Sequence, residues 1–131
     1  MYVLADVMTR GVFAVERGLG LREAARRMVE RGVGAAIVLD GERLVGILTE
    51  RDVLLAVASD RDQSAVVEDC MTRHPETVEP SDTTDQAAAL MIHGGFRHLP
   101  VVDGARVVGI VSIRDLMRGS IATATSTPSA S

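Results

Sequence analysis

The chain has 131 residues, of which 47% are hydrophobic and 24% are charged, a length and balance that suit a compact globule with a real core. Its 18 acidic residues outnumber 14 basic ones, all of them arginine, and only 2% of the residues are aromatic, so we expect no nucleic-acid partner. No apolar run approaches the roughly 20 residues of a membrane span, and the single cysteine, Cys70, fits a reducing interior, so we expect a cytoplasmic chain without a membrane partner.

The first half of the chain predicts the order strand, helix, strand, strand, helix. A short extended piece at residues 13–15 precedes an amphipathic helix, whose apolar residues recur every three or four positions and which ends at Gly32. An apolar strand at residues 35–39, an Asp-Gly turn and a second strand at residues 43–48 follow. The next helix, residues 53–58, is apolar nearly all round, so it needs a cover on more than one side.

The second half of the chain repeats the first at an offset of 63 residues without a gap. The most conspicuous pair is GILTERD at residues 46–52 and GIVSIRD at residues 109–115. Such a duplication indicates two copies of one β-α-β-β-α unit. One unit buries little core alone, so the copies should pack sheet against sheet with pseudo-twofold symmetry. The predicted fold class is therefore α/β (α+β).

The repeat also predicts the boundaries within the chain. We place the first repeat at residues 1–62 and the second at residues 63–118. The last helix is cut short by Gly119, and the Ser-, Thr- and Ala-rich residues 119–131 show no periodicity, which predicts a disordered tail.

The duplicated phrases, together with RHLPVVDG at residues 97–104, resemble a known family. Two such units in register are similar to a tandem pair of cystathionine β-synthase (CBS) domains, also called a Bateman module. The resemblance covers residues 5–118, nearly the whole chain.

The resemblance implies a non-catalytic regulatory module, here standing alone. It would sense an adenosine-containing ligand of the AMP, ADP and ATP class in the cleft between the two repeats, as in energy sensing, and pass its state to an unknown protein partner. The family commonly assembles as a disc of two pairs, so we expect a homodimer. No cofactor is required beyond the regulatory adenine nucleotide. The alternative is a ligand-free module for dimerisation or protein interaction.

The two phrases allow two interpretations of the same residues. Thr49 and Ser112 lie where a strand gives way to a helix, and an acid three residues later, Asp52 or Asp115, can complete a capping box. The same helix start attracts phosphate through free N–H groups and the helix dipole, and a carboxylate suits the two hydroxyls of a ribose. Both interpretations stay open on the sequence alone.

Basic residues make the two copies unequal. Arg97 and His98 precede a strand in the second repeat, whereas the first repeat has Gly34 and an alanine at these positions. The resemblance implies that basic residues here reach phosphates, and arginine suits bidentate phosphate contact. Arg114, inside the second phrase, is a further phosphate candidate. The alternative for both Arg97 and Arg114 is a solvated surface arginine with no ligand.

The sequence gives weaker indications for the remaining sites. An adenine ring needs an apolar slot and backbone groups, for which the candidates are Val15, Thr77, Val78, Ile37 and Pro100. The three histidines lack the spacing of metal ligands, so we expect no metal site. Cys70 aligns with Val7, an apolar position, and no nucleophile or acid–base pair stands out, so we expect no catalytic residue and no enzyme.

Overall fold

The structure of the protein, a computed structural model, describes residues 2–126. Its secondary structure consists, in chain order, of α1 (Leu4–Val7), β1 (Ala14–Glu16), α2 (Leu21–Arg31), β2 (Ala35–Asp40), β3 (Arg43–Thr49), α3 (Glu50–Ala58), α4 (Val67–Cys70), β4 (Thr72–Arg73), α5 (Thr84–Gly94), β5 (His98–Asp103), β6 (Arg106–Ser112) and α6 (Ile113–Ser126). None of the helices in this part of the chain has the length and apolar character that crossing a membrane requires.

The chain forms two compact units, each with its own core. The repeat-one unit is Val12–Pro75, and the repeat-two unit joins Met1–Gly11 to Glu76–Ser131. Each unit mixes strands and helices in the predicted order, which confirms the two-repeat α/β fold.

The repeat-one unit is built on a four-stranded sheet in the order β1-β2-β3-β4. The first pair is parallel and the others are antiparallel. Helix α2 covers the sheet with Leu21, Ala24 and Met28, all buried, and ends at Gly32, whose left-handed φ of 66° closes the last turn. The helical spacing of the sequence is therefore confirmed here.

The repeat-two unit has the same plan with shorter pairings. Strands β5 and β6 form an antiparallel hairpin. Val78 bridges Val101 in parallel, and Thr9 bridges Ile110 antiparallel, in the places that β1 and β4 take in the repeat-one unit. Helix α5 buries Ala87 and Met91 against this hairpin and ends at Gly95, again left-handed.

A short segment completes each unit from outside its own sequence repeat. Leu4 in α1 is fully buried in the repeat-two core, and Val67 in α4 is fully buried in the repeat-one core. The compact units therefore comprise different residues from the sequence repeats predicted at 1–62 and 63–118, because each repeat packs the segment that precedes the other one.

Helix α6 differs from the prediction at its end. The sequence predicts that the helix is cut short by Gly119, but the helix continues through this residue to Ser126. A Cβ on Gly119 would lie only 3.0 Å from Cγ1 of Val7, so the glycine permits close packing of α6 on α1 instead of stopping the helix. Residues 127–131 of the expected tail lie outside the described residues.

Candidate functional site

The first phrase forms a complete capping box at the start of α3. The carboxylate oxygen Oδ2 of Asp52 accepts hydrogen bonds from the Thr49 backbone N–H at 2.9 Å and from the Thr49 hydroxyl at 3.0 Å. The Asp52 backbone N–H donates in return to Thr49 Oγ1 at 3.3 Å. The helix-start interpretation is therefore confirmed for this copy.

The second phrase repeats that box at the start of α6. Oδ2 of Asp115 accepts from the Ser112 backbone N–H at 2.8 Å and from the Ser112 hydroxyl at 3.1 Å. The Asp115 backbone N–H donates to Ser112 Oγ at 3.1 Å. Both junctions thus hold the aspartate by the same three local hydrogen bonds.

The second carboxylate has two further partners that the first lacks. Oδ1 of Asp115 accepts from the Thr9 hydroxyl at 3.3 Å and is also in contact with the guanidinium of Arg118. Asp115 is only 2% exposed, whereas Asp52 is half-buried. Sequence reasoning missed both partners, although the three-residue spacing of Asp115 and Arg118 on a helix is a recognisable signal for an ion pair.

The positions in the repeat-one unit that match these partners do not engage its carboxylate. Leu55 stands 63 residues before Arg118, and Thr72 stands 63 residues after Thr9. Among the described side chains, no donor besides Thr49 bonds to Asp52, so its Oδ1 is without a hydrogen bond from this part of the chain.

The first-turn N–H groups are less available to an anion than the sequence predicted. The Glu50 N–H donates to the carbonyl of Gly34 at 3.0 Å, and the Ile113 N–H donates to the carbonyl of Arg97 at 3.0 Å. The Asp52 and Asp115 N–H groups are used by the capping boxes. Any phosphate at these junctions would therefore depend mainly on side chains.

The basic candidates lie at one end of the repeat-two hairpin. His98 is half-buried and pairs with Ser112 in the register of β5 and β6. Arg97, immediately before β5, and Arg114, in the first turn of α6, are exposed. The fold thus brings these three predicted phosphate residues to the second phrase. Gly34 and Ala35 occupy the matched places in the repeat-one unit.

Arg97 also lies at an apolar cleft between α5 and α6. The cleft has a volume of about 620 Å³. Its lining consists of Ala88, Met91, Ile92, Gly95, Phe96, Arg97, Ile113, Leu116 and Met117. In the repeat-two unit, a cation therefore borders an open apolar surface.

The predicted adenine residues have mostly packing roles in the structure. Val15 and Val78 belong to the two hydrophobic cores, and Ile37 and Pro100 are buried in the central strands. Thr77 is exposed. Their contact with an adenine ring stays a prediction.

Two glycines in the phrases have a structural explanation. A Cβ on Gly46 would lie 2.8 Å from the carbonyl oxygen of Thr72, and one on Gly109 would lie 3.0 Å from that of Thr9. The neighbouring strand therefore comes so close at both positions that it leaves no room for a side chain.

Other reactive groups offer little chemistry. Burial raises the pKa of the Cys70 thiol, which keeps it protonated and weakly nucleophilic at neutral pH. Among the described residues, no three His, Cys, Asp or Glu side chains come together in a way that could hold a metal ion.

Comparison with known proteins identifies the repeated unit. The family model described as the CBS domain matches the chain twice, at residues 4–59 and 67–121. The chain is 39% identical over 117 residues to an uncharacterized 17.7 kDa protein of Acidianus ambivalens, a match that spans 88% of this chain and 71% of that protein.

Solved structures of similar proteins contain adenosine compounds. CBSX2 of Arabidopsis thaliana in complex with AMP superposes with a TM-score of 0.81 at 29% identity, over 94% of this chain and 98% of that one. The CBS domain pair of protein MJ0100, in complex with 5'-methylthioadenosine and S-adenosyl-L-methionine, gives a TM-score of 0.87 at 26% identity over 94% and 98% of the two chains.

Proposed function

Because the chain belongs to the CBS-domain family and carries two CBS domains, we propose that it is a regulatory module for an adenosine-containing ligand of the AMP, ADP and ATP class. Binding would favour one conformation of the module, and a partner protein would respond to that conformation. The proposal includes no catalytic step.

The observation that carries this proposal is the state of the Asp52 carboxylate. One oxygen is held by Thr49, which fixes the orientation of the group, and the other has no hydrogen-bond donor from the described residues. The side chain is half-buried, so an approaching hydroxyl can reach it. A fixed carboxylate with a spare acceptor suits a ribose hydroxyl, and adenosine compounds are bound by similar CBS pairs.

The basic residues of the repeat-two unit support a phosphate-bearing ligand. Arg97 makes none of the ion pairs recorded among the described side chains, so its guanidinium is not neutralised by a neighbouring acid. His98 and Arg114 lie on the same junction. We propose these three residues as the phosphate contacts. Thr49 and Ser112 would join them by turning their hydroxyl protons from the aspartates to the phosphate.

We also propose a homodimer, on the basis of apolar residues that recur at matched surface positions. Val29 on α2 and Leu54 on α3 are 80% and 68% exposed, and their counterparts Ile92 and Met117 on α5 and α6 are 78% and 60% exposed. In each unit, large apolar side chains are exposed at matched positions on two helices, and a second copy would cover such a face.

The same surface favours a second candidate function, the ligand-free dimerisation module. In that case the aspartates only cap helices, as their complete capping boxes allow. Substituting Ile92→Glu should shift the protein toward monomer in sedimentation under either function. Arg106→Glu, at an exposed position in the β5–β6 turn region, is the control and should leave the oligomeric state unchanged.

Ligand binding distinguishes the two functions. We expect AMP, ADP, ATP, S-adenosylmethionine or NADH at millimolar concentration to raise the unfolding temperature, because a ligand at 100 times its dissociation constant adds about 2.7 kcal/mol of stability. Asp52→Asn should reduce that shift. If none of the five compounds changes the unfolding temperature of the wild-type protein, the dimerisation module is the better description.

A further inference from the structure

The Asp115 carboxylate has no acceptor position to spare. A carboxylate offers about four lone-pair sites. In the repeat-two unit these are taken by the backbone N–H and hydroxyl of Ser112, the hydroxyl of Thr9 and the guanidinium of Arg118. A ribose hydroxyl therefore has to displace one of these donors before it can bind to this oxygen pair.

Arg118 is the donor that can leave most easily. Ser112 is tied to the capping box, and Thr9 also bridges Ile110 through its backbone. The side chain of Arg118 is 63% exposed, although its carboxylate partner is only 2% exposed. Water can thus solvate the guanidinium as it swings away, while the carboxylate stays in place.

Among its described residues, the repeat-one unit has no arginine that pairs with the aspartate of its phrase. Leu55 occupies the position of Arg118, and it cannot donate a hydrogen bond to Asp52. The two ribose candidates therefore start from different states, one with a spare acceptor and one with all its acceptors occupied.

We propose that Arg118 is an internal competitor for the ribose at Asp115, an inference that rests on the function proposed above. Its guanidinium closes the second carboxylate in the free protein, and an adenosine ligand binds there only by displacing it. The Asp52 motif is then filled first, and the Asp115 motif fills only at higher ligand concentration. Arg118 is the residue that sets the difference between the two affinities.

The test removes the Arg118 guanidinium in a protein whose first ribose candidate, Asp52, has been disabled, so that binding reports on Asp115 alone. In an Asp52→Asn background, calorimetry compares adenosine and AMP binding with and without Arg118→Leu, which installs the residue of the repeat-one unit. We expect Arg118→Leu to tighten adenosine binding about threefold to tenfold. Binding no longer has to break the ion pair with Asp115, and a pair with one exposed and one buried member has about this strength. Arg118→Met, which keeps much of the side-chain length but carries no hydrogen-bond donor, should tighten binding in the same direction.

The reciprocal experiment adds the competitor to the other motif. In an Asp115→Asn background, Leu55→Arg should weaken adenosine binding by a similar factor. Thermal unfolding of every variant in the absence of ligand identifies any protein that has lost its fold, and Arg118→Met serves if Arg118→Leu is such a case.

The outcomes separate this inference from the proposed function. If the wild-type protein binds AMP and neither Arg118 variant binds adenosine more tightly, the competitor role is overturned alone. Weaker AMP binding with unchanged adenosine binding would make Arg118 a phosphate contact, which also overturns it. If neither the wild-type protein nor any variant binds adenosine or AMP, the proposed function fails and the competitor role with it.

Discussion

The carboxylates of Asp52 and Asp115 stand at matched positions in the two units but differ in their surroundings. Each is held by the hydroxyl residue that ends the preceding strand. Only Asp115 also has Thr9 and Arg118 as partners, and it is almost fully buried. A duplicated phrase thus preserves the hydrogen bonds within it, whereas contacts to residues outside it can diverge.

The matched glycines give the largest expected effect and should show no such difference. Gly46→Ala and Gly109→Ala each place a Cβ against a strand carbonyl, at 2.8 Å from Thr72 and 3.0 Å from Thr9. We expect each to lower the free energy of unfolding by about 2 to 3 kcal/mol in chemical denaturation, as overpacked positions do. Losses that differ by more than about 1 kcal/mol would contradict the equivalence of the two strand pairings.

The two aspartates should differ in stability as they do in burial. Asp115→Asn removes the charge from a buried group with four donors and should cost about 2 kcal/mol. Asp52→Asn should cost about 0.5 to 1 kcal/mol, since the amide oxygen of asparagine can still accept the hydrogen bond from the Thr49 N–H. Urea denaturation of both variants measures this difference, and equal losses would show that the extra partners of Asp115 contribute nothing.

The matched threonines test one of those extra partners. Thr9→Val removes the hydroxyl that donates to Asp115, so we expect a loss of about 1 kcal/mol. Thr72→Val is the control, because no hydrogen bond joins the Thr72 hydroxyl to Asp52 in the described part of the chain, and its effect should stay within about 0.5 kcal/mol. The comparison fails if Thr72→Val is as destabilising as Thr9→Val.

The smallest effect is expected at the matched pair Cys70 and Val7. Cys70→Val installs the residue of the other segment and should change the free energy of unfolding by less than about 0.5 kcal/mol. Because burial raises the pKa of the Cys70 thiol, its alkylation rate should reach half its maximum at a higher pH than that of a free cysteine. A midpoint below the free-cysteine value would show a reactive thiol instead.

Helix spacing, helix ends and capping boxes could be predicted from the sequence because each is determined by residues close together in the chain. The helical spacing around Met28, the left-handed end at Gly32 and the capping boxes all depend on residues a few positions apart. The duplication of the sequence made the two-repeat organisation of the fold predictable as well.

Contacts between distant residues could not be predicted in the same way. Thr9 and Asp115 are 106 positions apart, and nothing in either local pattern indicates the pairing. The three-residue spacing of Asp115 and Arg118 indicates an ion pair on a helix, but Gly119 in the sequence predicts that this helix ends directly after Arg118, whereas it continues to Ser126. The structure shows that this glycine serves the contact with Val7.

Helices α1 and α4 each complete the core of the other repeat, and this affects the order in which a growing chain can fold. The repeat-one core is complete once residue 73 has been synthesised, because Val67 and β4 supply its last parts. Leu4 is made first but belongs to a core whose other side chains extend to Val111. We therefore expect this segment to stay unpaired on the ribosome until the residues up to Val111 have emerged, and the repeat-one unit to be the earlier of the two to become resistant to protease.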